Sequence, residues 1–559
     1  MRPLAPARVD LRGDRASERA GERAGAAGAD RPRRGPEGSG PWETMGVKTE
    51  EGAAPAAGGA VPVTLLSGFL GAGKTTLMKS ILEQTHADAS GGKPPLKAAV
   101  LVNDMAEVNI DANMVSSTKV LQQGEAKMVE LHNGCICCTL RADLVKAVGD
   151  LAADGSFDAI VIESTGVSVP EEVAETFLSE VPPEAANSPD PEIGEIVKAL
   201  RGKSSLNALA KLDTCVTLVD CAGFDSNMAT AADLSEQFKG SAEEGDDRSV
   251  GPLLMSQIEF ADVIVLSKCD LISEEEADRV ERSVRALNPT AKIVRAVRGD
   301  VPLSSVLRTG LFTPNEAPGW VRLLRDKDAH VPETEEYGIS SFVYKARTPF
   351  HPMRLGRFLD ANFTIRFPGY SFKKDPPNAG EAASAEGAPA TGAEKRKATR
   401  EMEKAMQEYQ EQMEVEFRDR ESRAHERSAR MRQSYGHILR SKGYMWIAGR
   451  DAQAAEWSQA GAIGQFECGG GWMASLPPQL WPPEGSDEYN AIIKDFDGPV
   501  LKDRRQEVVF IGQKLDKDAI KKALDACLIT VDDLADKVRA PAYAPRANVK
   551  RVPSAPPSG

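Results

Sequence analysis

The chain has 559 residues, 41% hydrophobic and 27% charged, which is room for two to four globular domains at roughly 150 residues each. Acidic residues outnumber basic ones, 83 to 69, for a formal charge of −14, a balance that argues against a nucleic-acid partner, which calls for a basic face. No apolar run approaches the roughly 20 residues of a membrane span. The eight cysteines, three of them crowded together, are not a disulfide framework; they fit a reducing, cytoplasmic setting.

Residues 1–60 are Ala, Gly, Arg, Pro and Glu without periodicity and are expected to be a disordered tail. A transit peptide would be Ser-rich and poor in acids. This stretch has only Ser17 and Ser39, and carries Asp10, Asp14, Glu18, Glu22 and Asp30. Met45 is read as an alternative start of translation. Residues 540–559, rich in Ala and Pro, are expected to be a second disordered tail.

From Val61 the pattern is α/β. Apolar runs recur at 61–66, 97–103, 158–163, 214–220, 262–267 and 292–296, separated by amphipathic or polar segments. Continuous apolar strands alternating with helices indicate a parallel sheet covered on both faces, expected over 61–325. Residues 183–212 read as an insertion in it. A smaller α+β domain is expected over 335–535. Its strands are read at 335–346, 437–449, 455–461, 464–475 and 504–513, and its helices at 351–363 and 516–528. In the last helix Asp516 can cap, and Ile520, Leu524 and Cys527 share a face. An insertion at 370–434 interrupts this domain: a Pro/Gly/Ala linker, then a charged helix-forming stretch over 395–434, read as a solvated surface helix.

Four motifs carry chemistry. Residues Gly68 to Thr75 read GFLGAGKT, between a strand and a helix beginning TTLMKSILEQ. That context makes a phosphate-binding loop: Gly68, Gly71, Ala72 and Gly73 let backbone N–H groups curl around phosphates at a helix N-terminus, with Thr76 following. Lys74 reaches the β/γ-phosphates and Thr75 offers its hydroxyl to Mg²⁺. The strand DAIVIE ends in Glu163-Ser164-Thr165-Gly166, where Glu163 takes the acid role, as catalytic partner of Lys74, and Gly166 senses the γ-phosphate. Ser267-Lys268-Cys269-Asp270 resembles the guanine-reading N/T-K-x-D pattern. Asp270 can accept from guanine N1–H and the N2 amine and Lys268 can pack its stem on the base, favouring GTP over ATP. Ser267 replaces the usual Asn, and a hydroxyl cannot supply the same amide contacts.

The fourth motif is HNGCICCTLRADL at 132–144. Cys135, Cys137 and Cys138 could bind a soft or borderline metal such as Zn²⁺, with His132 or Glu107 as a fourth ligand, could be redox-active, or could be small buried hydrophobes. Cys215, Cys221, Cys269, Cys468 and Cys527 read as isolated, core-packing cysteines. His351 and His437 have no partner at ligand spacing.

In order, GFLGAGKTT, NDMAEVNID (103–111), GCICCTLR, ESTGVSVP, VTLVD and SKCDL resemble the CobW-type metallochaperone GTPases. So do LRSKGYMWIAGR, EWSQAG and DRRQEVVFIG in the second half, which are similar to the CobW C-terminal domain; the branch most resembled is associated with low-zinc responses. The resemblance covers most of 61–535 and leaves 369–434 outside the family core. It implies a P-loop NTPase sheet domain followed by the α+β domain, GTP, Mg²⁺ and Zn²⁺ as ligands, and zinc held by Cys135, Cys137 and Cys138. It further implies a switch at 103–111 and transfer of zinc to a zinc-requiring client protein. A cobalt insertase and a non-enzymatic zinc buffer are the alternatives, and a homodimer is compatible with either. The chain departs from the eukaryotic zinc chaperones that dock methionine aminopeptidase, because no cysteine precedes Cys135 to form a Cys-Pro-x-Leu-Val-Pro motif.

Overall fold

The computed structural model describes residues 60–87, 96–103, 127–131, 141–182, 185, 191–237, 246–314, 338–367 and 392–535. The described residues form one compact unit.

The first half alternates β1 (Val61–Gly68), α1 (Lys74–Ala87), β2 (Ala98–Asn103), β3 (Lys127–Leu131), α2 (Arg141–Asp154), β4 (Ala159–Glu163), α3 (Pro170–Leu178) and α4 (Pro191–Ala199). It continues with β5 (Ala210–Asp220), α5 (Phe224–Ala229), α6 (Val250–Phe260), β6 (Val263–Ser267), α7 (Glu274–Leu287) and β7 (Lys292–Arg295). The strands form a seven-stranded sheet in the order β3-β2-β4-β1-β5-β6-β7. Every pair is parallel. The expected parallel sheet is present, with one strand more than the apolar runs suggest. β3, KMVEL, is too short and polar to stand out in sequence. β5 also begins earlier than read: Ala210 pairs with Val61, so 210–212 belong to the central sheet and not to an insertion.

Both faces of this sheet are covered, as the apolar runs require. Val63, Leu65, Ile160 and Ile162 pack under α2 and α3 against Leu144, Val148, Val173 and Phe177. Leu66, Val161, Val216 and Val265 point to the opposite face, against Leu77, Met78 and Ile81 of α1. Residues i and i+2 on a strand share a face, so the same strands supply both cores.

The second half contains β8 (Ile339–Ala346), α8 (Pro352–Asn362), β9 (Thr364–Arg366), α9 (Gly392–Tyr435), β10 (His437–Met445), β11 (Gln453–Ala460), β12 (Ile463–Gly471), β13 (Gln506–Gln513) and α10 (Lys517–Asp525). Its sheet runs β8-β13-β10-β11-β12-β9, antiparallel except for β12 with β9. One face buries Tyr344, Ile438, Trp457, Val508 and Phe510 under α8, α10 and the end of α9. The other face places Ile339, Leu439, Val509 and Ile511 against α6 and α7, joining Leu254, Ile258, Val280 and Val284 in one core. Asp516 accepts from the Ala519 N–H and caps α10, and His351 Nδ1 accepts from the Met353 N–H and caps α8.

Candidate functional site

Four strand ends meet at one edge of the parallel sheet. Leu66 pairs with Glu163, Gly68 with Leu218, and Asp220 with Ser267, so the C-terminal ends of β4, β1, β5 and β6 lie side by side. Successive strands are added on one side of β1 and then on the other, which makes this edge the crevice where such sheets bind ligands.

β1 leaves this edge through Gly68. Its φ is +139°, and a Cβ there would lie 2.6 Å from the Leu218 carbonyl oxygen, so a side chain is excluded. The chain then turns tightly, with the Ala72 N–H donating to the Phe69 carbonyl at 3.1 Å, and enters α1. Gly71 and Thr76 are exposed, Gly73 is half-buried and Ala72 is buried. A tight loop opening a helix presents N–H groups and the positive end of the helix dipole to an anion.

Lys74 is buried, and its Nζ donates to the carbonyls of Gly68 at 2.8 Å and Phe69 at 3.3 Å. Thr75 Oγ1 donates to Glu163 Oε1 at 3.3 Å. The structure therefore brings together an ammonium, a hydroxyl and a carboxylate read from two separate motifs. Glu163 is 3% exposed at the end of β4. A hydroxyl and a buried carboxylate make a hard oxygen donor pair, which suits Mg²⁺.

Gly166 lies directly on the phosphate loop: a Cβ there would come 2.7 Å from the Leu70 nitrogen. Its carbonyl and that of Ser168 accept from Gln257 Nε2, at 3.3 and 3.1 Å. Gln257 belongs to α6 and is fully buried. Nothing in its sequence surroundings marks it, and sequence reasoning missed it.

The SKCD segment stands on the other side of β1. Ser267 Oγ lies 2.7 Å from the Ala72 carbonyl of the phosphate loop and 3.2 Å from that of Val219, and can donate its one proton to either. A hydroxyl thus ties this segment to the loop between β1 and α1. Lys268 adopts a left-handed conformation, φ 58° and ψ 29°, and its Nζ pairs with Asp220 Oδ2 at 2.8 Å. Asp220 Oδ1 accepts from the N–H groups of Ala222 and Gly223 ahead of α5. Asp220 was legible only as the last letter of VTLVD. Asp270 is exposed in the short turn Cys269–Leu271.

Cys135, Cys137 and Cys138, with His132, Glu107 and the 104–111 part of the expected switch, lie outside the described residues. Their flanks are described. β3 ends at Leu131 on the same edge of the sheet, separated from β1 by β2 and β4, and α2 begins at Arg141. Among the described residues no group of three or more His, Cys, Asp and Glu side chains could hold a metal ion. Two of the other cysteines are not isolated as expected: Cys221 and Cys269 have their sulfurs 3.8 Å apart. Cys468 is exposed on β12 rather than packed in a core.

Residues 62–295 match the CobW/HypB/UreG nucleotide-binding domain, and residues 411–528 match the cobalamin synthesis protein cobW C-terminal domain. The second match begins inside the stretch expected to lie outside the family core, so the last part of α9 belongs to that domain. The chain is 34% identical over 485 residues to zinc-regulated GTPase metalloprotein activator 1 of Dictyostelium discoideum, covering 85% of this chain and 81% of that protein. A protein of the same name from Schizosaccharomyces pombe is 31% identical over 241 residues, 43% of this chain and 46% of that protein. The zinc chaperone YjiA of Escherichia coli is 28% identical over 261 residues, 46% of this chain and 64% of that protein.

Proposed function

The chain belongs to the CobW family of GTP hydrolases, and from that premise we propose that it is a zinc metallochaperone, binding zinc at Cys135, Cys137 and Cys138 and passing it to a zinc-requiring client under the control of GTP. The observation that carries the nucleotide half is the Ser267–Ala72 hydrogen bond, which fastens a guanine-reading segment to the phosphate loop. Base and phosphates are then gripped by one assembly. The zinc half is supported by the names of the relatives and by the softness of three thiolates, which select Zn²⁺ over the hard cations.

Each residue of the site has a task in this reading. Lys74 leaves the Gly68 and Phe69 carbonyls for the β/γ-phosphate oxygens. Thr75, and Glu163 through water, would hold a magnesium ion, which supplies neutralising charge on the phosphate oxygens. The Gly166 N–H senses the γ-phosphate, with its segment steadied from behind by Gln257. Lys268, set by Asp220, lies along the base, and Asp270 accepts from its N1–H and N2 amine. The thiol motif follows β3 at the edge that carries these groups, so ordering of 103–111 on the γ-phosphate changes zinc access or thiolate geometry.

Coupling of this kind is reciprocal, so zinc must alter guanine-nucleotide affinity by the factor by which nucleotide alters zinc affinity. Titration of a non-hydrolysable GTP analogue with and without zinc measures it. The expected shift is about 5-fold or more, the lower end of typical coupling energies, and is abolished in Cys137→Ser. Equal affinities in the wild type, with identical turnover in Cys137→Ser, would remove the coupling. Zinc should also predominate in protein purified from limiting mixed metals; cobalt in its place would point to an insertase.

A further inference from the structure

Two thiols meet beneath the base-reading loop. Cys221 directly follows β5 and Cys269 directly follows Lys268, and their sulfurs lie 3.8 Å apart. Both are free cysteines; Cys221 is buried and Cys269 is partly exposed. The backbone already holds the two segments as neighbours, because the Cys221 N–H donates to the Ser267 carbonyl at 3.1 Å.

We propose that Cys221 and Cys269 form a redox modification site, in which a reversible disulfide deforms the guanine-reading loop and weakens nucleotide binding. This rests on the assignment of Lys268 and Asp270 to the guanine base.

The oxidant is a small disulfide of the glutathione class. Cys269, which solvent can reach, loses its proton and attacks one sulfur of the oxidant. That S–S bond breaks, a mixed disulfide forms on Cys269, and one small thiolate leaves. Cys221 then loses its proton and attacks Cys269 Sγ, expelling the second small thiolate. Two protein thiols have given up two electrons and two protons, and one external disulfide has become two thiols. The order follows exposure and charge. Burial pushes the Cys221 thiol up, the neighbouring Cys269 and Asp220 charges add to this, and only Arg295 opposes it, so Cys221 resolves rather than initiates.

To bond, the sulfurs must close from 3.8 Å to about 2.05 Å. Cys221 is set in a core with Val219, Phe224 and Leu266, so the movement falls on Cys269. Its two neighbours are Lys268 and Asp270, and a bound base whose polar partners are displaced is left with unsatisfied groups, which lowers its affinity. A disulfide inside a reducing compartment is usually transient and redox-sensing, which is the use proposed.

The test compares the full chain, reduced and after incubation with glutathione disulfide, by peptide mass mapping and by titration with fluorescent GDP. The expected result is a Cys221–Cys269 cross-link, at least a ~10-fold loss of GDP affinity, recovery with a reducing agent, and slower cross-linking when GDP is bound first. Cys269→Ala keeps Cys135, Cys137 and Cys138 but lacks the thiol that attacks first, so its GDP affinity should not respond to the oxidant; Cys269→Ser serves if the alanine variant fails to fold. Absence of the link, a link without loss of affinity, or an equal loss in Cys269→Ala overturns the proposal. A reduced chain that binds no GDP overturns the base assignment instead, while the mass readout still decides the thiol pair.

Discussion

Ser267 stands where a guanine-reading segment usually has Asn, and its hydroxyl reaches a carbonyl 195 residues away in the chain. The Ala72 carbonyl it meets belongs to a buried residue, and a buried acceptor that loses its donor costs about 1–3 kcal/mol. Ser267→Ala should therefore weaken GDP binding about 10-fold, with a smaller change in turnover at saturating GTP. Fluorescent-nucleotide titration reads the first and phosphate release the second; GDP affinity within about twofold of wild type would show that the tie is dispensable. At this scale the sequence is legible where function is contiguous. The loop proposed to hold the phosphates is one unbroken string, so the turn from β1 into α1 is read directly from it. The Ser267–Ala72 and Lys268–Asp220 contacts join strand ends that only the sheet brings together. The first was read as a missing amide and the second was not read.

Among the elements, α9 differs most from one end to the other. Its 44 residues span about 66 Å at 1.5 Å per residue. No residue between Lys404 and Arg423 is buried, whereas Ala424 and Met431 are. The docked part is also tied by polar contacts: Glu421 Oε1 accepts from the Ala231 N–H at 2.7 Å, and Arg420 pairs with Glu236. Met413 and Arg366 line the same cleft, so a short Gly/Ser linker replacing residues 370–410 can rejoin the chain. That deletion should shift the melting temperature by less than about 2 °C, the effect of about 1 kcal/mol. Ala424→Glu buries a charge at a cost of several kcal/mol and should lower the melting temperature by at least about 3 °C. Calorimetry on both proteins tests this, and a deletion as damaging as the point change would mean that the exposed turns carry packing. The solvated-helix reading of 395–434 holds for those turns and fails for the docked end. The six-stranded order of the second sheet was inaccessible for a related reason: helical periodicity is local, but β8 pairs with β13 and β9 with β12 across long intervals that no local pattern encodes.

Over the whole molecule, α6 touches both the nucleotide edge and the second sheet. Gln257 holds the carbonyls of Gly166 and Ser168, and two residues later Glu259 forms a bidentate ion pair with Arg440 of β10, at 2.7 and 3.1 Å. Arg440 is 4% exposed, and the core around α6 and α7 includes Leu439, Ala460, Val509 and Ile511 of the second sheet. A ligand that binds only the folded state stabilises everything that unfolds with its site. Guanine nucleotide should therefore slow hydrogen exchange in β10 and β11 as well as in α1, although neither of those strands belongs to the proposed nucleotide site. Arg440→Met leaves Glu259 without its partner, which costs about 3–5 kcal/mol for a buried pair, and should weaken the slowing in the second sheet while leaving that in α1. The double change Arg440→Met with Glu259→Met replaces the pair by apolar groups and should recover most of the lost stability, separating loss of the ion pair from loss of packing. Exchange in residues 438–460 that ignores nucleotide while α1 slows would mean that the two sheets share a core but not a cooperative unit.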